Sequence, residues 1–196
     1  MRAKSAAGFT LIEAIISISV LAIAMTAVSG MMVESAKINK SAQMAAETQA
    51  NARRAMSVVV KTLRRAGWDP KRAGIGTVAL DPDPTDDFSQ IEVFADLDQD
   101  MTTNGLDEQV LIRHTGNRIE WRRTAGGSFQ VLAEGISNDA DVDGLIEPMF
   151  VPVPNPDPTR IQVQITARSR YLDPVTRQFL RFTVHSDVVL RKSLWP

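Results

Sequence analysis

Apolar and polar positions divide the chain into a helical first third and a strand-rich remainder. Residues 9–33 carry one charged side chain, Glu13, and exceed the run of about 20 apolar residues that crosses a bilayer as a helix. Residues 33–66 contain no proline and no glycine, and their apolar side chains recur at three- and four-residue steps along one face. We therefore predict one continuous helix of about 87 Å that ends at Gly67.

Beyond Pro70 the pattern changes to short apolar runs separated by turn residues, which is typical of β-strands. Alternation is clearest over residues 161–168, whereas the proline-rich residues 148–158 predict a loop. The pattern predicts an α+β fold in which an antiparallel β-sheet packs on the second half of the helix. The predicted strands are 74–80, 90–95, 109–114, 118–123, 129–132, 161–168 and 179–190.

The same pattern predicts how the chain is divided along its length. The segments are a leader (1–8), a membrane half of the helix (9–33), a periplasmic half of the helix (34–67) and a globular β-rich head (68–196). Arg2 and Lys4 in the leader favour a cytoplasmic N-terminus, which places the head outside the inner membrane. Because the chain has no cysteine, the head depends on its core, and on any bound metal, rather than on disulfides.

Glu13 is the first candidate for a functional residue. A carboxylate inside a membrane helix costs about 2.5–3.5 kcal/mol at the centre and less near an end, so such acids are usually paired. The nearest basic residues are Lys4 and Lys37, so we expect the cationic partner to come from another chain. Cleavage after Gly8 would leave the apolar helix in the mature protein and create a new amino group at Phe9.

The run Gly8-Phe9-Thr10-Leu11-Ile12-Glu13 resembles the class III signal of type IV prepilins and type II secretion pseudopilins. The resemblance implies the pilin fold, with cleavage after Gly8 and N-methylation of Phe9 by prepilin peptidase. It also implies that the Phe9 ammonium of one subunit pairs with Glu13 of a neighbour. The implied partners are other minor pilins, the major pilin, prepilin peptidase and the inner-membrane platform protein. The implied location is the inner membrane before assembly and the periplasm and extracellular filament tip afterwards.

Shorter motifs in the head narrow the choice within this family. Residues 63–68, the Asp-rich residues 96–107 and the closing residues 188–191 resemble PilW-type minor pilins and the minor pseudopilin J of type II secretion. The implied role is a low-copy subunit of a minor-pilin complex that primes assembly at the filament tip. Two alternatives stay open: a minor pseudopilin of a type II secretion system, and a tip adhesin or DNA-uptake subunit. A tip adhesin or DNA-uptake subunit would need an exposed sticky or basic patch. The candidates for a basic patch are Arg53, Arg54, Arg64 and Arg65.

Composition and motifs argue against several other function classes. The net charge of −1 is unlike that of a nucleic-acid-binding protein. The sequence contains no nucleophile elbow, phosphate-binding loop or dinucleotide motif, and its two histidines, His114 and His185, lack metal-binding spacing. We expect the chain to be a substrate of an enzyme rather than an enzyme.

An acidic segment after the second predicted strand is a candidate calcium loop. Its oxygen-bearing side chains fall at positions 1, 3, 5, 7, 9 and 12 of an EF-hand-like loop: Asp96, Asp98, Asp100, Thr102, Asn104 and Asp107. Met101 occupies the position where glycine is expected, and Glu108 follows the last candidate ligand. A solvated acidic turn is the alternative, and no cofactor is required by the resemblance.

A second acidic loop offers a weaker candidate site. Asp139, Asp141 and Asp143 have the spacing of a calcium loop, and Glu147 could supply the ninth-position oxygen, but the closing carboxylate is missing. The acidic residues 81–87 alternate with prolines and predict a surface loop.

Overall fold

The computed structural model describes residues 10–80, 89–139, 145–154 and 158–191. Its longest element is helix α1 (Leu11–Leu63), which has 53 residues and is about 80 Å long at 1.5 Å per residue. Thr10 caps its N-terminus, where the side-chain Oγ1 accepts a hydrogen bond from the Glu13 N–H. The predicted continuous helix is therefore confirmed over these residues.

The C-terminal end of α1 continues into a tighter turn of 3₁₀ type. The N–H groups of Arg65 and Ala66 donate to carbonyls three residues earlier, at 3.0 Å each, as in a 3₁₀ turn. Gly67 follows with φ of 70°, a left-handed conformation that glycine adopts without strain. Its N–H donates to the Phe94 carbonyl at 2.9 Å, so the chain contacts a strand of the head immediately after the helix ends.

The strands form two antiparallel sheets, each with neighbours in chain order. The five-stranded sheet contains β1 (Val78–Leu80), β2 (Gln90–Phe94), β3 (Gln109–Thr115), β4 (Arg118–Arg122) and β5 (Gln130–Glu134). The three-stranded sheet contains β6 (Phe150–Val153), β7 (Arg160–Leu172) and β8 (Phe179–Val189). A bridge between Ile136 and Ala167 links the chain after β5 to β7. The predicted α+β fold with an antiparallel β-rich head is thus confirmed, although the described strands form two sheets where one was expected.

The core lies where the second half of α1 meets both sheets. The buried side chains of α1 begin at Met44 and recur at helical spacing as far as Leu63, and the helix contacts β5, β7 and β8. The sheets bury their own apolar faces against this stripe, and the core includes Val59, Leu63, Ile91, Ile112, Ile119, Phe150, Ile161 and Ile165, all 0% exposed. The first 30 or so residues of α1 take no part in this core.

Strand β6 corrects the predicted loop over residues 148–158. Pro152 lies within this strand, opposite Ile161 of β7, and both residues are buried. Proline lacks an N–H, so a sheet accepts it only on an edge strand, which is the position of β6. Burial of Phe150 and Pro152 on one face explains why the segment pairs despite its prolines.

Candidate functional site

The first half of α1 presents an apolar surface that the described residues leave uncovered. Every large apolar side chain from Leu11 to Val33 is more than half exposed, with values between 53% and 82%. Within the described residues, α1 is the one helix long and apolar enough to cross a membrane. A monomer in water rarely exposes so large an apolar surface, so lipid or neighbouring helices must cover it.

Glu13 lies in the first turn of this exposed surface. Its own N–H is bonded to Thr10, and its carboxylate takes part in none of the ion pairs that the described residues form. An acid in the first turn is favoured by the helix dipole, but that effect does not replace a counter-ion in lipid. Gly8 and Phe9, the predicted processing site, lie outside the described residues.

The acidic loop between β2 and β3 is organised around two buried carboxylates. Glu108 is 1% exposed, and its Oε1 accepts hydrogen bonds from the N–H groups of Leu97 (2.7 Å) and Asp98 (3.0 Å). Its Oε2 accepts from the Gly105 N–H at 2.6 Å. Asp96 is 0% exposed, and its Oδ2 accepts from the Met101 N–H at 3.2 Å.

Two of the predicted calcium ligands meet in this loop. One carboxylate oxygen each from Asp96, Asp98 and Glu108 lie within 4.8 Å of one another. Asp100 instead accepts hydrogen bonds from the N–H and Oγ1 of Thr102, both at 2.7 Å, and these contacts lower its pKa. The remaining candidates, Thr102 and Asn104, are exposed.

Asp107 has a different partner from the one its position predicted. Its carboxylate accepts two hydrogen bonds from the Arg123 guanidinium, which holds the pKa of Asp107 below its usual range. Glu108, its neighbour, points into the loop instead. The sequence signal for Glu108 was weak, because an acid that immediately precedes a strand such as β3 is ordinarily on the surface.

The backbone of the loop accommodates these contacts without glycine at the expected position. Met101 has φ of 71°, the left-handed conformation that a calcium loop usually obtains from glycine. Gly105 is needed for another reason: a Cβ there would lie 2.4 Å from Oε2 of Glu108. The close approach of Glu108 therefore depends on this glycine.

Residues 3–29 match the family model described as the prokaryotic N-terminal methylation motif. This chain has the N-terminal signal of a type IV prepilin or pseudopilin. The match includes Gly8, Phe9 and Glu13 and confirms the resemblance inferred from the sequence, whereas it does not extend into the head. No curated protein and no solved structure matches the chain.

The second predicted metal loop is only partly within the described residues. Asp141 and Asp143 lie outside them. The Oδ2 of Asp139 accepts a hydrogen bond from Arg181 at 3.2 Å, and the Oε2 of Glu147 accepts one from Gln164. The two described carboxylates of this loop therefore each face a protein donor.

The remaining candidate residues have ordinary structural surroundings. His114 is buried, and its Nε2 lies 3.0 Å from the Ile136 carbonyl. His185 lies beside an open groove of about 320 Å³ on the three-stranded sheet. Of the arginines considered for a basic patch, Arg53 and Arg54 are exposed on α1, with Arg53 above the Phe182 ring. Arg64 and Arg65 follow the last residue of α1 and are exposed and half-buried, respectively.

Proposed function

We propose that this prepilin is a minor type IV pilin that joins other minor pilins in a complex at the filament tip and primes assembly. The observation that carries the proposal is the division of α1 into two surfaces. Its C-terminal part is buried in the head from Met44 onward, while its N-terminal part exposes an apolar surface with one acid, Glu13. Such a helix suits a subunit that is held in lipid first and among other helices afterwards.

The proposed mechanism begins with processing. Prepilin peptidase cleaves after Gly8 and methylates the new amino group of Phe9, which still carries a positive charge. When subunits bundle, that charge pairs with Glu13 of a neighbour where little water is present. Loss of one partner from such a pair leaves an uncompensated charge, at a cost of about 3–5 kcal/mol. The pair therefore selects the helix register in which both charges are matched.

Substitution of Glu13 by glutamine tests this mechanism. Glu13→Gln removes the charge and preserves the shape, so the precursor should enter the membrane and be processed normally but fail to co-purify with filament subunits. Glu34→Gln is the matched control, since Glu34 lies on the same helix and its visible partner is Lys37, 3.6 Å away. Co-purification of Glu13→Gln at the level of Glu34→Gln would overturn the pairing mechanism.

A deletion strain separates the pilus proposal from a type II pseudopilus. If the chain primes a pilus, its deletion should abolish or strongly reduce surface filaments and leave protein secretion unchanged, and the wild-type gene should restore the filaments. Loss of secretion with normal piliation would instead identify a pseudopilin.

A further inference from the structure

We propose that the loop between β2 and β3 binds one calcium ion through Asp96, Asp98 and Glu108. This site is independent of the proposed role of α1 in assembly. Its ligand set also differs from the six-residue set that spacing alone predicts, because Asp100 lies outside the carboxylate cluster, Asp107 binds Arg123, and Thr102 and Asn104 are exposed.

The distances within the cluster fit a calcium ion. Calcium binds oxygen ligands at about 2.3–2.6 Å, so two ligands on opposite sides of one ion are up to about 5.2 Å apart. One oxygen from each of Asp96, Asp98 and Glu108 meets that limit. The described cluster contains only oxygen donors, which favours a hard cation over zinc.

Asp96 provides the observation that points to a ligand. The residue is 0% exposed, and while its Oδ2 accepts one hydrogen bond, its Oδ1 is buried with no hydrogen-bond partner among the described residues. A buried charged oxygen without a partner is costly, and a cation would satisfy it. None of the ion pairs that the described residues form involves Asp96, Asp98 or Glu108.

Glu108 has a spare acceptor position for the ion. A carboxylate offers about four acceptor positions, and Glu108 uses two on Oε1 and one on Oε2 for backbone N–H groups. Asp98 is exposed, so it can close the site from the solvent side, and water can complete a coordination number of six to eight.

The site lies at the junction between the C-terminal end of α1 and the head. The N–H of Asp96 donates to the Trp68 carbonyl at 2.7 Å, one residue beyond Gly67, and the N–H of Ala95 donates to the Glu108 carbonyl at 2.8 Å. A cation held by Asp96 and Glu108 would therefore fasten the exit of the helix to the ends of β2 and β3. In a chain without cysteine, this contact takes the place that a disulfide occupies in many exported domains.

Calcium titration of the full-length chain in detergent micelles tests the proposal. Isothermal titration calorimetry should show one site, with a dissociation constant of about 1 mM or tighter, as in extracellular calcium modules. Magnesium should bind at least about tenfold more weakly, because it prefers a tighter octahedral shell. Calcium should also raise the melting temperature of the head relative to a chelator.

Two single substitutions in the same loop separate the ligand sets. In the wild-type chain, Oδ1 of Asp98 accepts a hydrogen bond from the Asp100 N–H at 3.0 Å. Asp98→Asn removes the charge of a proposed ligand but keeps an oxygen for this hydrogen bond, so it should weaken calcium binding about tenfold or more without disturbing the loop. Asp100→Asn is the matched control, an exposed carboxylate outside the cluster, and should change affinity less than about threefold. Melting temperatures in chelator check that both variants fold.

Three results would overturn the proposal. The first is that the wild-type chain binds no calcium up to about 10 mM. The second is that Asp98→Asn binds calcium with unchanged affinity. The third is that Asp98→Asn and Asp100→Asn weaken calcium binding equally. The last result would restore the ligand set predicted from spacing. Equal affinity for magnesium would contradict the assignment to calcium.

Discussion

Replacement of Leu63 by alanine should partly release the head from α1. Leu63 lies in the last turn of the helix, is 0% exposed and belongs to the core shared by the helix and the sheets. Truncation of a fully buried leucine costs about 3–5 kcal/mol, from lost apolar burial and from the cavity that remains. That is a large part of the 5–15 kcal/mol or so that usually stabilises a domain.

The assay is thermal unfolding of the full-length chain in detergent, followed by near-ultraviolet circular dichroism. A loss of about 3 kcal/mol should lower the melting temperature of the head by about 10 °C. The control is Ile38→Ala on the same helix, where the side chain is 54% exposed and truncation should cost less than about 0.5 kcal/mol. Equal melting temperatures for the two variants would refute the conclusion that the end of α1 is part of the core of the head.

Three further predictions concern acid stability, the acidic loop and processing. The pKa of Asp107 is lowered by its hydrogen bonds to Arg123, so the stability from this pair is present above pH 4 or so and should be lost as the pH falls further. In a pH series of melting temperatures, Arg123→Gln should flatten this decline, and an unchanged profile would count against the pair. Gly105→Ala places a Cβ 2.4 Å from Oε2 of Glu108 and should lower the melting temperature by several degrees, whereas no shift would show that the loop tolerates a side chain there. Gly8→Leu should leave the uncleaved precursor on a denaturing gel, and normal processing would reject Gly8 as the cleavage site.

The long helix was predictable because two independent patterns agree along it. An apolar run with Glu13 as its one charge and an apolar stripe follow one another without proline, and Gly67 then ends the helix in a left-handed conformation. The stripe also predicted which residues pack, since the buried positions from Met44 to Leu63 recur at helical spacing. Local pattern is enough here because one helix face meets one core.

The division of the strands into two sheets was not predictable in the same way. Strand β6 contains Pro152, and only its place at the edge of the three-stranded sheet makes that proline acceptable. Glu108 was passed over because its burial depends on three backbone N–H groups that the fold of the loop brings to it. Both features depend on tertiary contacts between residues whose local sequence favours another interpretation.

Cysteine cross-linking in membranes tests the pairing of Glu13 most directly, because the natural chain has no cysteine and therefore no background reaction. A cysteine at Ala14, one residue from Glu13, should cross-link to cysteines placed near the processed N-terminus of partner pilins. The account predicts that Glu13→Gln abolishes this cross-link while Glu34→Gln leaves it intact. A cross-link of equal yield in both variants would contradict the claim that Glu13 aligns the helices of neighbouring subunits.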